Sequence, residues 1–213
     1  QFADINDRPQ SIDIIPSTSY VAGTLFYDDR IIIGGKIAKF GQSTPYADYS
    51  YDLGNGSSYP PTAANSYSTF NYYSLKGIIS LKWATQTTYG NLRLVVDSTF
   101  LGMSPGSTTV YPTATKGFTL TSNSNVINRI KVDTTNQKIY IGGSFTAYND
   151  GILHSSTNII RLNYDGSFDS VFSTGTGFDN SVFDIDFSSD YSKVYIGGSF
   201  TKYKGIDCGR VVQ

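Results

Sequence analysis

No glutamate occurs in these 213 residues; all 17 acidic side chains are aspartates. Cysteine, histidine, methionine and tryptophan appear once each. A single Cys208 makes no internal disulfide, which excludes a small scaffold stapled by bridges. This poverty in thiols fits an exposed, extracellular protein. Charge is also sparse, and 16 Lys and Arg against 17 Asp leave a formal net charge of −1. That balance excludes the basic stripe of a nucleic-acid binder and the polybasic patch of a membrane-surface protein. No run of about 18 apolar residues is present, so no membrane insertion by a helix is expected. Strong helix formers are scarce beside Ile, Val, Thr, 17 Tyr and 13 Phe. Branched and aromatic side chains suit a pleated surface and lose rotamer freedom in a helix. The 21 glycines, with many Asn, Asp and Ser, supply turns. The expected fold class is all-β, in a chain long enough to bury a real core.

One phrase is written twice. "KIYIGGSFTAY" (Lys138–Tyr148) and "KVYIGGSFTKY" (Lys193–Tyr203) agree at nine of eleven positions, 55 residues apart. A third copy, "RIIIGGKIAKFG", runs from Arg30 to Gly41, with Ile33 lying 108 residues before Ile141. Because 108 is close to twice 55, a degenerate copy is expected at "NLRLVVDSTFLG" (Asn91–Gly102). "NVINRIKVD" and "SVFDIDFS" precede the two clear copies across the turn-rich connectors "TTNQ" and "SDYS", so each pair reads as a β-hairpin. In the second strand Val182, Asp184 and Asp186 alternate with Phe183, Ile185 and Phe187. A further strand and turn follow in "NIIRLNYDGSFDSVF" (Asn158–Phe172). Three or four strands in about 54 residues fit a propeller blade, since solenoid repeats are shorter and Ig-like units about twice as long.

The glycine doublets Gly34–Gly35, Gly142–Gly143 and Gly197–Gly198 are expected where backbone passes close to a neighbour or a bulge opens. Phe145 and Phe200 are expected to fill the gap between adjacent units, which then depend on one another.

"KIYIGGSFTAYND", "IIRLNYDGSFDSVF" and "GTGFDNSVFDIDF" together resemble the delta-60 repeat, a β-propeller-type repeat of bacterial surface and secreted proteins and of phage virion proteins. The likeness is specific over Asn125–Gln213 and weaker at Tyr20–Gly41. It implies a propeller of surface or virion type, with other structural proteins of the same assembly as partners. It carries over no catalytic residue and no cofactor. About four blades are expected across residues 1–213, as a single propeller domain or part of a larger one. The partial reading is favoured because the repeat pattern would continue after Gln213 as it does after Arg161. Gln1 in first place, with the lone Met at 103, likewise suits processing or a longer parent chain.

The repeat pattern breaks at residues 41–74, an insertion of Tyr, Ser, Asn, Gly and Pro. Long insertions in a repeat scaffold project from one face. Tyr46, Tyr49, Tyr51 and Tyr59 crowd there with Tyr67, Tyr72 and Tyr73. Tyrosine beside Ser, Gly and Asn is the chemistry of binding loops, so these residues are the candidate ligand-binding set, with surface glycans as the candidate ligand. The plainer reading packs them on the blade surface, or makes Tyr67–Ser74 simply an edge strand.

Catalytic constellations are weak. A Ser-His-Asp triad would need His154, which sits in a turn-rich stretch and reads as a solvated histidine. Cys208 reads as filling a small apolar site. Asp184 and Asp186 share one strand face as a glycosidase pair would, but occupy a repeat position, where structure is the ordinary role. Asp28, Asp29 and Asp165 fall at turns, where Asp bonds nearby backbone. "NYDGSFD" (Asn163–Asp169) lacks the length and terminal Glu of a calcium loop, so no metal is expected. "GTGFDNS" lacks the lysine of a phosphate loop. The expectation is a non-enzymatic structural or interaction protein of a virion appendage or bacterial surface. The alternative is a carbohydrate-binding adhesin or receptor-binding module using the tyrosine-rich insertion.

Overall fold

The computed structural model describes residues 8–17, 29–43, 70–85, 92–103, 113–119, 126–172 and 174–213. Tyr46, Tyr49, Tyr51 and Tyr59 lie outside the described residues. Among those described, every regular element is a strand.

The first unit contains β1 (Arg8–Ile15), β2 (Arg30–Lys36), β3 (Lys39–Ser43), β4 (Phe70–Ser74), β5 (Ile78–Thr85) and β6 (Leu92–Val96). After it come β7 (Gly117–Phe118), then β8 (Val126–Asp133), β9 (Lys138–Ser144), β10 (Ala147–Asn149), β11 (Leu153–Ser155) and β12 (Ile159–Asn163) of the second unit. The third holds β13 (Val182–Phe187), β14 (Val194–Gly198), β15 (Lys202–Tyr203), β16 (Ile206–Asp207) and β17 (Val211–Val212).

All three units follow one path. An opening strand pairs antiparallel with the glycine-bearing strand: β1 with β2, β8 with β9, β13 with β14. The chain then leaves for a separate short hairpin, β3–β4, β10–β11 or β15–β16. It returns along the other side of the glycine strand, matching Gly34 with Ile78, Gly142 with Ile159 and Gly197 with Val211. The second glycine of each doublet fixes that return by donating its N–H to Gly77, Asn158 or Arg210 carbonyl oxygen, at 3.1, 3.0 and 3.0 Å. The hairpins expected across "TTNQ" and "SDYS" are present, with the left-handed residues Gln137 (φ 55°) and Tyr191 (φ 57°) in their connectors.

Asn91–Gly102 is not a copy of the glycine strand. Leu92–Val96 is the edge strand of the first sheet, paired with β5. Just beyond it, Asp97 donates its N–H to Ser80 O (2.8 Å), as Asp169 does to Arg161 O (3.1 Å). "VDSTF" (Val96–Phe100) is therefore the counterpart of "FDSVF" (Phe168–Phe172). The doubled spacing comes instead from long connections within the first unit. Residues 16–29 stand where the second unit has 134–137, and residues 44–69 where it has 150–152. The described residues thus hold three units.

A bulge also resets the alternation expected in β13. Register shifts between Val182 and Asp184, so Val182 joins Ile185 in the core and Phe183 turns outward. The same shift recurs in β1 between Pro9 and Ser11, and in β8 between Ile127 and Arg129.

Each of the two core clusters spans two neighbouring units. One cluster joins Ile32, Ile78 and Ile79 of the first sheet to Ile127, Ile130 and Ile141 of the second. Another joins Tyr140 and Ile159 of the second to Val182, Ile185, Ile196 and Phe200 of the third. A lone sheet has one face to bury and nothing to bury it against, so each unit is completed by its neighbour.

Candidate functional site

The two glycines of each doublet meet different demands. A Cβ on the second would stand 2.1 Å from Arg8 O at Gly35, 2.2 Å from Val126 O at Gly143 and 2.2 Å from Ser181 O at Gly198. The bulged opening strand passes so close that only a residue without a side chain fits. The first glycine receives the next unit. A Cβ on Gly34 would lie 2.6 Å from Ile127 Cγ2 and 2.8 Å from Ile130 Cδ1. One on Gly142 would lie 2.4 Å from Val182 Cγ1 and 3.1 Å from Ile185 Cδ1. Among the described residues, nothing comes within 4 Å of the same position on Gly197. Burying such an aliphatic pair is worth about 1.5–3 kcal/mol per side chain.

Polar links tie the opening strands together beside these seams. Ile130 N–H donates to Ser11 Oγ (2.8 Å) and Val132 N–H to Asp13 Oδ2 (2.8 Å). At the next seam Arg129 pairs with Asp184 (3.0 Å) and Lys131 with Asp186 (2.9 Å), while Asn128 Nδ2 donates to Val182 O (2.8 Å). The Lys131 ammonium, with the Phe187 N–H, holds the Asp186 carboxyl below its ordinary pKa. Asp184 and Asp186 share a face as expected, and that face is turned on the cations of the preceding unit. Both carboxylates are largely exposed, so each pair contributes at most about 1 kcal/mol.

Phe145 and Phe200 are fully buried in matching three-ring clusters. Phe145 packs on Phe118 (4.6 Å between centroids), which also meets Tyr148 (5.0 Å). Phe200 packs on Phe178 (4.1 Å), which meets Tyr203 (4.5 Å). Phe118 and Phe178 belong to Gly-Phe pairs in the linkers between units, and their N–H groups bond Lys76 O and Thr157 O of the unit before. Sequence reasoning missed this staple, although "GF" recurs at 117–118 and 177–178. In the first unit Ile37 takes the position of Phe145 and is buried.

Two buried aspartates were also missed. Asp169 accepts from Arg161 Nε (2.7 Å) and faces Lys138 Nζ (3.1 Å). Burial alone would raise its pKa, but the Lys138 bond, the Val171 N–H and the Arg161 charge outweigh burial and hold it low. Arg161 also donates to Tyr140 OH (3.1 Å) and lies over the Phe172 ring at 4.7 Å. Asp97 repeats the arrangement with Arg30 (3.5 Å) and Lys82 (3.3 Å). The recurring "DS-T/V-F" was the sequence signal for both.

His154 stacks on Phe168 (4.2 Å) and shares a 2.8 Å bond with Asp150 Oδ1, whose other oxygen accepts from Phe168 N–H (2.8 Å). The imidazole thus ties a hairpin to its sheet, with no nucleophile within the contacts it makes. Asp165 caps the turn through Ser167 N–H (2.9 Å) and Ser167 Oγ (2.6 Å). Asp29 accepts from Ser17 N–H (2.7 Å). Cys208 packs against the second core cluster. Among the described residues no three His, Cys or Asp side chains are grouped to hold a metal ion.

What is left for contact with other molecules is surface. Ile152 and Leu153 project at a hairpin tip, and Phe183, Tyr195, Ile206 and Val211 are exposed in the third unit. The tyrosine-rich residues 44–69 join the two strands of the first hairpin, where Gly41 pairs with Tyr72 and Phe40 with Tyr73.

A family model described as a β-propeller domain of unknown function (DUF5122) matches residues 136–172, which run from the first turn of the second unit to Phe172. No curated protein and no solved structure matches the chain. With its thrice-repeated strand path, sheets joined core to core and this match, the chain is a β-propeller-like repeat array, similar over its second unit to a β-propeller family.

Proposed function

We propose that this protein is a non-enzymatic structural and interaction protein, a rigid stack of sheets that presents hairpins and loops to other structural proteins. One observation carries the reading: among the described residues, the carboxylate pair a glycosidase reading would use and both buried corner aspartates are occupied in ion pairs that tie the repeat together. Asp97 and Asp169 anchor the same corner of two units, and Asp184 and Asp186 clasp the preceding unit. The resemblance of the repeat to delta-60 proteins supports a place in a virion appendage or on a bacterial surface. The direct test is incubation with bacterial surface polysaccharides, followed by size analysis. No depolymerisation is expected from the wild type, and Asp184→Asn or Asp186→Asn should change stability by less than about 1 kcal/mol. Depolymerisation abolished by either substitution would overturn the reading.

The position of residues 44–69 favours a second reading, a glycan-binding adhesin. Residues 44–69 connect the two strands of a short hairpin that is separate from the main sheet of the first unit. A glycan array probed with the whole chain should then give signal that Tyr46→Ala, Tyr49→Ala and Tyr51→Ala together remove. A wild-type array without signal refutes this second reading.

A further inference from the structure

Lys138 and Asn163 stand directly opposite each other on β9 and β12. Lys138 Nζ donates to Asn163 Oδ1 at 2.6 Å and lies 3.1 Å from Asp169 Oδ2. The amide carbon is one bond beyond that oxygen, which brings the amine close to the roughly 3–3.5 Å from which an oriented nucleophile attacks. The amide is held in that orientation from its other side. Asn163 Nδ2 donates to Ser167 Oγ (2.9 Å), and Ser167 Oγ donates to Asp165 Oδ1 (2.6 Å). The carboxylate beside them is 4% exposed and already accepts from Arg161 Nε at 2.7 Å.

The first unit shows that neutralising this aspartate does not require a carboxamide. There Arg30 and Lys82 stand opposite each other in place of Lys138 and Asn163. Both pair with Asp97, at 3.5 and 3.3 Å. The second unit instead sets a primary amine, an oriented carboxamide and a buried carboxylate side by side.

We infer that Lys138 and Asn163 join in an intramolecular amide bond, with Asp169 as the proton relay. The Lys138 ammonium gives a proton to Asp169 Oδ2, and the freed electron pair of Nζ adds to Asn163 Cγ. The Cγ–Nδ2 bond then breaks. Two protons from Nζ reach Nδ2 by way of Asp169, so ammonium leaves and the carboxylate is restored. One N–H stays on the new Nζ–Cγ amide, and no oxidant or cofactor is consumed. Burial favours a protonated Asp169, but the Lys138 bond, the Val171 N–H and the Arg161 charge hold its pKa low. Loading the relay is therefore the uphill step, and the bond forms slowly, after folding. Arg161 still neutralises Asp169 once Lys138 has reacted. The link closes a loop that contains the whole β10–β11 hairpin and ties that hairpin at its base to the sheet. The inference does not depend on the display function.

The test is peptide mapping of the whole chain by mass spectrometry, after incubation of the folded protein at mildly alkaline pH. Trypsin acting on the denatured product should leave the chain uncut after Lys138. It should release the peptides holding Lys138 and Asn163 joined, lighter than their sum by one ammonia, in a fraction that grows with incubation. A succinimide at Asn163 also loses ammonia but leaves Lys138 open to trypsin, so the joined pair decides. Lys138→Arg supplies the cation that Arg30 supplies in the first unit, so it should keep the wild-type circular dichroism and give no joined pair. Folded Asp169→Asn should join about a hundredfold more slowly or less. A folded wild type cut completely after residue 138, with no joined pair, overturns the proposal. So does a joined pair that survives Lys138→Arg, and joining at the wild-type rate in Asp169→Asn overturns the relay.

Discussion

Gly142 and Gly197 occupy the same place in the same phrase, yet alanine should act on them with opposite signs. At Gly142 the new methyl would stand 2.4 Å from Val182 Cγ1 and 3.1 Å from Ile185 Cδ1. Both neighbours are fully buried, so they yield only by opening the seam. Overpacking of this kind costs about 1–3 kcal/mol. Glycine to alanine returns about 0.4–1 kcal/mol by restricting the unfolded chain. The net expectation for Gly142→Ala is a loss of about 1–2 kcal/mol. At Gly197 the methyl meets open space among the described residues, and the backbone is not left-handed, so only the gain remains. The gain is common to both, so the two variants should differ by the overpacking cost, about 1–3 kcal/mol, or about 2–12 °C in Tm for a chain of this length. Urea unfolding followed both by circular dichroism and by the fluorescence of Trp83 measures it. Equal destabilisation at both positions would refute the argument, because the requirement for glycine would then be internal to each unit.

Asp169→Asn removes the charge that Arg161 and Lys138 share in a nearly closed site; a loss of about 2–4 kcal/mol is expected in urea unfolding, and Asp97→Asn should behave alike in the first unit. Asn158→Ala deletes the side chain that accepts from Phe145 N–H and donates to Phe178 O at φ 67°, so it should cost about 2–3 kcal/mol; Asn158→Gly should cost less, since Gly77 serves the same joint at φ 81°. Acid should unfold the chain through the carboxyls of Asp169, Asp165 and Asp150, all of which sit below their ordinary value of 3.8 when folded. Their contribution is present above the ordinary value of 3.8 and is lost as pH falls through the lower folded values, so the urea midpoint should fall on acidification below about pH 4, and less steeply in Asp169→Asn.

The strands and their pairing were legible because "IYIGG" carries its own geometry: a β-branched run, then two residues without side chains where a bulge comes near. Each doublet marked where backbone passes close to a neighbour, but not which side chains pack the seams. The number of units was less legible. A β-branched stretch such as "LRLVV" reads the same whether it lies at the centre of a sheet or at its edge, and only Asp97, matched to Asp169, tells the two apart. Contacts from Ser11 to Ile130 or from Arg129 to Asp184 join positions that no local pattern links, since their pairing follows from how sheets stack. Phe183 shows the smaller version of the problem, because one bulged residue exchanges inside for outside along the strand.

The hairpin arms have a use in the laboratory. Lys204 and Gly205, at φ 52° and 81°, turn the arm of the third unit in two residues, while the homologous turn of the first unit gives way to residues 44–69. The first unit carries many more residues at that site and keeps the same strand path beneath them. A foreign epitope spliced between Lys204 and Gly205 should therefore be carried outward on a ready-made stalk.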